Sequence, residues 1–194
     1  MASKTIAALK RRLQQSLQYI AHPLSRWERL YATENPWRFD IPSEIHRFEE
    51  TNRIIREMMD PPETILEIGS GEGDQTEWLL KLADRVQGVD ISPTAIERAR
   101  SRFAGNPKAS FRAGKLPEIG VDEHFDLVTA FEIIYYVKDI PRALDMMDRL
   151  GQRRIVSVHW PQVRVLDEFL FPTRDASRQI ITWEDKPRWL VAWW

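Results

Sequence analysis

Apolar positions along this chain change their spacing three times, and each change predicts a different kind of element. Over residues 5–25, Ile6, Leu9, Leu13, Leu17, Ile20 and Leu24 recur every three or four positions, with Lys10, Arg11, Arg12, Gln14 and Gln15 opposite. That is the pattern of a basic amphipathic helix, ended near Pro23. An aromatic stretch follows, Trp27 to Tyr31 and then Asn35-Pro36-Trp37-Arg38-Phe39, before a second helix over 43–59 that Pro61-Pro62 stops. From Thr64 the pattern becomes short apolar runs alternating with helical ones. Strands are expected at 64–68, 85–90, 109–112, 125–130 and 154–159, with helices at 76–83, 93–103 and 139–150. Such alternation predicts a parallel sheet covered on both faces. The tail departs from it: 178–183 and 188–194 are two β-rich runs around Glu184–Pro187, an antiparallel hairpin. The expected fold is α/β, a doubly wound, mostly parallel seven-stranded sheet with that hairpin at its end. Residues 1–194 read as one domain, 1–59 forming a helical cap and 60–194 the core.

Composition narrows the function. Across 194 residues, 28 Lys and Arg stand against 29 Asp and Glu, a formal net charge of −1. Coating nucleic acid needs a basic excess, so this balance argues against a nucleic-acid partner. Cysteine is absent, which excludes disulfides, thiolate metal sites and a cysteine nucleophile. His22, His46, His124 and His159 show no paired spacing, so no metal is expected. No apolar run approaches the roughly 20 residues of a membrane span, and Lys10-Arg11-Arg12 interrupt the start where a signal peptide needs apolar residues. A cytoplasmic protein is expected, and Trp193-Trp194 at the end of the chain offer a surface for homodimer contact.

The candidate chemistry lies after the first strand, at Glu67-Ile68-Gly69-Ser70-Gly71-Glu72-Gly73. Glycines between a strand and a helix let the backbone turn tightly and approach a ligand. Asp90 ends the second strand, where a carboxylate can accept both hydroxyls of a ribose. A dinucleotide site wants its third glycine at the sixth place. Here the glycines occupy the first, third and fifth places, and the sixth is Asp74. An anion there disfavours a pyrophosphate but suits a ligand bearing an amino group and a sulfonium.

On these residues the chain resembles the S-adenosylmethionine-dependent methyltransferases with a Rossmann-like fold. Their first motif is E-x-G-x-G-x-G; Gly88-Val89-Asp90-Ile91-Ser92 resembles their second-strand motif, and Phe125-Asp126-Leu127-Val128 that of their fourth strand. The resemblance covers roughly residues 60–194. A narrower likeness is to the nodulation N-methyltransferase (NodS) group, carried by Asn35–Phe39, Glu44–Glu50 and Glu132-Ile133-Ile134-Tyr135-Tyr136. Two places depart from the pattern. Leu150-Gly151-Gln152-Arg153 replaces the usual Pro-Gly-Gly turn, and Arg112–Leu116 lacks the acid that meets the adenine amino group.

The resemblance implies S-adenosylmethionine as cofactor, S-adenosylhomocysteine as product, and an amino or hydroxyl group of a small molecule, a sugar among the options, as acceptor. It implies Glu67, Gly69, Ser70, Gly71, Gly73, Asp90, Ile91, Lys115, Leu116 and Phe131 at the cofactor, the backbone near Lys115 and Leu116 serving adenine. Glu132 and Tyr136 are expected to face the acceptor, with His159 as a second candidate base, its neutral imidazole suited near pH 7. Trp37, Tyr135 and Trp160 are candidates for the substrate rim, where rings stack on sugars or surround cationic amines. Tyr135 and Tyr136 are adjacent, so on a helix or strand only one could face a pocket. The rival readings are a protein or RNA acceptor, a non-catalytic cofactor-binding subunit, and a nicotinamide oxidoreductase. The last lacks both the glycine spacing and a Tyr-x-x-x-Lys pair.

Overall fold

The alternating runs assemble into a seven-stranded sheet of order β3-β2-β1-β4-β5-β7-β6, seen in a computed structural model that describes residues 24–194. The amphipathic helix expected over 5–25 therefore lies outside the described residues, save for its end. In chain order the elements are α1 (Leu24–Leu30), α2 (Pro42–Met58), β1 (Thr64–Ile68), α3 (Asp74–Leu79), β2 (Arg85–Asp90), α4 (Pro93–Arg102), β3 (Ala109–Ala113), β4 (Phe125–Phe131), α5 (Ile140–Leu150), β5 (Gly151–His159), α6 (Arg164–Phe169), β6 (Ser177–Trp183) and β7 (Lys186–Trp193). Strands β1 to β5 pair in parallel, and β7 runs antiparallel between β5 and β6. Among the described residues no helix is long and apolar enough to cross a membrane.

The two sheet faces carry separate cores. On one, Leu144, Met147 and Leu150 of α5 pack with Leu66, Val128, Val156 and Val158. On the other, Ile54 and Ile55 of α2 meet Ile65, Leu127, Ile155 and Trp189. Burial of such side chains is worth roughly 1.5–3 kcal/mol each. Helix starts follow the local chemistry. Ser92 precedes α4 and accepts from Ala95 N–H at 3.1 Å, and Asp139 precedes α5 and accepts from Arg142 N–H at 3.2 Å. Each cap is worth about 1 kcal/mol.

Several elements differ from expectation, among them the helix expected over 76–83, which runs Asp74–Leu79. β5 begins at Gly151, directly after α5, rather than at Arg154. The hairpin turn is only Glu184-Asp185, both in the left-handed region at φ 51° and 59°, a two-residue connection that matches strand twist. Pro187 therefore lies inside β7, opposite Thr182 at a bulge. It is tolerated because β5 reaches β7 only from Trp189 onward, so Pro187 needs no bond on that side. Trp194, expected as an open apolar surface, is half-buried. Its indole N–H donates to Asp148 Oδ1 at 2.6 Å, and the Arg154 and Arg174 guanidiniums lie 5.4 and 5.9 Å from its ring.

Candidate active site

Parallel strands end along one edge of the sheet, and there the loops after β1, β2, β3 and β4, with His159 at the end of β5, surround a cavity of about 400 Å³. Its floor is the glycine-rich loop. Gly69, Gly71 and Gly73 have φ of 79°, 53° and 89°, a region open to glycine at no steric cost. A Cβ on Gly69 would fall 2.3 Å from Ile133 Cγ2, and one on Gly71 would fall 2.9 Å from the Tyr31 hydroxyl. Both glycines thus let the loop pack against Ile133 and Tyr31 more closely than any side chain would allow. The loop is pinned to β2, since the amides of Gly69 and Ser70 both donate to Val89 O, at 2.7 and 3.1 Å.

Asp90 faces this floor. Its Oδ2 accepts from Gly71 N–H at 3.0 Å and its Oδ1 from Ser92 N–H at 2.8 Å. One bond to each oxygen leaves further lone pairs for two hydroxyls of a ligand. Burial raises its pKa, and the backbone bonds partly offset that. Beyond it, Val89, Ile91, Gly114, Lys115 and Leu116 form a flat, largely apolar wall. The Asp90 acceptor above a glycine floor fits an adenosyl ligand carrying a sulfonium. A pyrophosphate fits poorly, because the first turn of the six-residue α3 carries Asp74 and Glu77.

The roof comes from α1 and the loop after it. Trp27 lies on α1 and Tyr31 just past its end, its N–H donating to Trp27 O at 2.9 Å, and Trp37 Nε1 donates to Tyr31 Oη at 3.1 Å. Trp27 meets Tyr136 edge-on, centroids 5.1 Å apart, and lies 6.3 Å from Trp37. Two acidic latches hold this roof. Glu28 accepts from the hydroxyls of Ser92 and Thr94, bonds that lower its pKa. Glu72, inside the glycine-rich loop, accepts from Asn35 N–H at 2.8 Å and from Arg98 at 2.5 Å. Of residues 159–177, only His159 lines the cavity.

At the far end stands Glu132. It leaves β4 in the left-handed region at φ 60°, a conformation costing a non-glycine residue about 1–2 kcal/mol. Its Oε1 accepts from Ser157 Oγ at 2.7 Å and its Oε2 from Tyr135 Oη at 3.1 Å. Burial raises its pKa against the opposing pull of Arg47 and those two hydroxyls. Arg47, a residue of α2, is itself buried, held by Glu44 at 2.8 Å and Gln75 at 3.0 Å. Tyr135 and Tyr136 occupy a 3-10 turn, Ile134–Tyr136, with their rings 4.5 Å apart. The expectation that only one could face a pocket fails: both line the cavity. His159 is lowered by burial and by neighbouring Arg188, which keeps its imidazole neutral near pH 7.

The cavity brings together Trp37, Gly69, Gly71, Asp90, Ile91, Lys115, Leu116, Phe131, Glu132, Tyr135, Tyr136 and His159. It does not bring in Trp160, which is 38% exposed on the turn after β5. Gly73 lies beneath Phe103 and Phe111. Ser70 and Glu67 are buried behind the loop, Glu67 accepting from the Thr76 hydroxyl. These last three shape the loop from behind. Sequence reading missed Trp27, Tyr31 and Glu44 as wall residues and Ser157 and Arg47 behind it. The only local signals were the i, i+4 aromatic pair and two polar residues in apolar surroundings.

Burial pushes the Glu67 carboxyl up to about 8 from 4.5. The folded state then holds a proton that the unfolded state has lost, so this group's contribution is present below pH 4.5 and disappears as pH rises through about 8. Thermal melts are expected to show stability falling across that window by up to about 1.4 kcal/mol per pH unit. Glu67→Gln should flatten the profile; an unchanged slope would contradict the assignment.

Comparison with known proteins returns the same part of the chain. Residues 66–154 match the family described as methyltransferase domain. Nodulation protein S of Bradyrhizobium diazoefficiens is 34% identical over 114 residues, 58% of this chain and 54% of that protein. The ubiquinone biosynthesis O-methyltransferase of Methylobacterium sp. (strain 4-46) is 33% identical over 138 residues, 62% and 54% of the two chains. This chain thus spans about half the length of these curated relatives. Among solved structures, N-methyltransferase NodS from Bradyrhizobium japonicum WM9 in complex with S-adenosyl-l-homocysteine superposes with a TM-score of 0.71, at 23% identity. The match covers 87% of this chain and 95% of that one, and the likeness is one of fold.

Proposed function

We propose that this chain, whose residues 66–154 match a methyltransferase domain, is an S-adenosylmethionine-dependent methyltransferase that transfers a methyl group to an amino group of a small molecule, an amino sugar being the first acceptor to try. When bound, the cofactor supplies an electrophilic methyl on a sulfonium. Asp90 would hold the ribose hydroxyls, Gly69 and Gly71 would admit the chain bearing the sulfonium, and Ile91, Lys115 and Leu116 would flank adenine.

The observation that carries the amine reading is the acceptor end itself. The rings of Trp27, Trp37 and Tyr136 stand around one opening with the carboxylates of Glu44 and Glu132. Ring faces and carboxylates attract an ammonium. Glu132, once ionised, can take a proton from it and leave the nitrogen lone pair free, while Tyr136 and Trp37 orient the acceptor. Proximity of this kind supplies several kcal/mol of rate enhancement. The closed aromatic roof favours a small acceptor over the surface of a macromolecule. A hydroxyl acceptor is the second reading, supported by His159, a neutral base on the same wall.

The test is transfer of label from methyl-tritiated S-adenosylmethionine to glucosamine, with N-acetylglucosamine beside it. Label on glucosamine alone is expected. Label on N-acetylglucosamine to the same extent would move the acceptor from nitrogen to oxygen. Failure with glucosamine and every other small amine, in protein that binds the cofactor, would overturn the reading.

A further inference from the structure

We propose that Ser157, on β5, is a positioning residue that holds the Glu132 carboxylate at the acceptor end of the cavity through its hydroxyl and its main-chain carbonyl together. The inference rests on the reading of Glu132 as the group that meets the acceptor.

Ser157 is fully buried in the run Ile155-Val156-Ser157-Val158. A hydroxyl among branched aliphatic side chains is unfavourable unless it is hydrogen-bonded. Its proton goes to Glu132 Oε1 at 2.7 Å. In the β4–β5 ladder Phe131 stands opposite Ser157, so the chain turns out of β4 at the next residue. There Glu132 N–H donates to Ser157 O at 3.0 Å, where φ is 60°. One residue thus fastens both ends of Glu132, its peptide in a sparsely populated conformation and its carboxylate in one orientation. Without the hydroxyl, the carboxylate keeps, among the described residues, the hydrogen bond from Tyr135 Oη at 3.1 Å. Ser157 does not line the cavity, so it acts through Glu132.

A hydroxyl donating to a carboxylate favours the anion, which makes the clamp measurable in solution. The other groups that bear on Glu132 are Arg47 and Glu44 from α2 and Tyr135 and Tyr136 from the turn, with His159 of β5 and Arg188 of β7 on the same cavity. Ser157→Ala leaves all of them in place.

The experiment is a carbon-13 NMR titration of glutamate-labelled protein without ligand. The Glu132 signal is assigned by its loss in Glu132→Gln, and wild type is compared with Ser157→Ala and Ser157→Thr. Removing the hydroxyl should raise the Glu132 midpoint by about one pH unit, and threonine, which keeps it, should restore the wild-type midpoint. An unchanged midpoint in Ser157→Ala would overturn the proposal, as would a threonine variant that behaves like alanine. Affinity for S-adenosylhomocysteine should stay within about twofold in Ser157→Ala; a large loss would mark a general structural role and also overturn it. With glucosamine, Ser157→Ala should lower turnover in wild type and change nothing further in Glu132→Gln. Absence of turnover in wild type would count against the methyl-transfer reading alone, since the titration decides the clamp without it.

Discussion

Asp90→Ala is expected to weaken S-adenosylhomocysteine binding by at least about 100-fold, which corresponds to about 2.7 kcal/mol. Two hydrogen bonds from ribose hydroxyls to a charged acceptor contribute about 1.5–3 kcal/mol each, and both are lost at once. The change also removes the acceptors of Gly71 N–H and Ser92 N–H, so the floor and the start of α4 lose a shared anchor. Asp90→Asn should fall between, because one oxygen and most of the shape remain. Quenching of tryptophan fluorescence reports the binding, since Trp27 and Trp37 line the cavity. Equal affinity in wild type and Asp90→Ala would remove Asp90 from the site.

The second large effect is at Glu132. Glu132→Gln keeps the side chain's shape and its bond from Ser157 but removes the charge and the proton-accepting oxygen. Turnover of an ammonium acceptor should fall about 10²–10³-fold, within the range of general-base contributions, with cofactor affinity nearly unchanged. The pH profile supplies a sharper check. Burial raises the Glu132 pKa, so wild-type turnover should be lost toward acid along a limb that lies above the ordinary carboxylate range. That limb should vanish in Glu132→Gln. A variant with wild-type kcat would assign proton removal elsewhere, first to His159.

Much of this was legible in the chain before its structure. β1 and β2 have the bounds that their apolar runs gave, because Pro61-Pro62 and turn residues punctuate them. The glycine spacing and Asp90 located the floor, since the backbone conformations there demand those residue types. β5 was read three residues short because Gln152 and Arg153 are exposed at the sheet's end and break the apolar pattern. The roof was harder to read. Trp27 and Tyr31 meet residues far along the sequence, and nothing local states which rings will face one another. Ser157 and Arg47 were passed over for a related reason: their roles lie in long-range partners, which periodicity does not encode. The two tyrosines were misjudged, since both line the cavity.

The claim on which the rest stands is that the cavity above the glycine-rich loop takes an adenosyl ligand with a sulfonium side. Calorimetric titration of the wild-type protein with S-adenosylmethionine and S-adenosylhomocysteine, and with NAD as the competing nucleoside ligand, tests it most directly. The account predicts one site per chain, micromolar affinity for the first two and no heat from NAD. A folded protein that binds neither, or that prefers NAD, would contradict it.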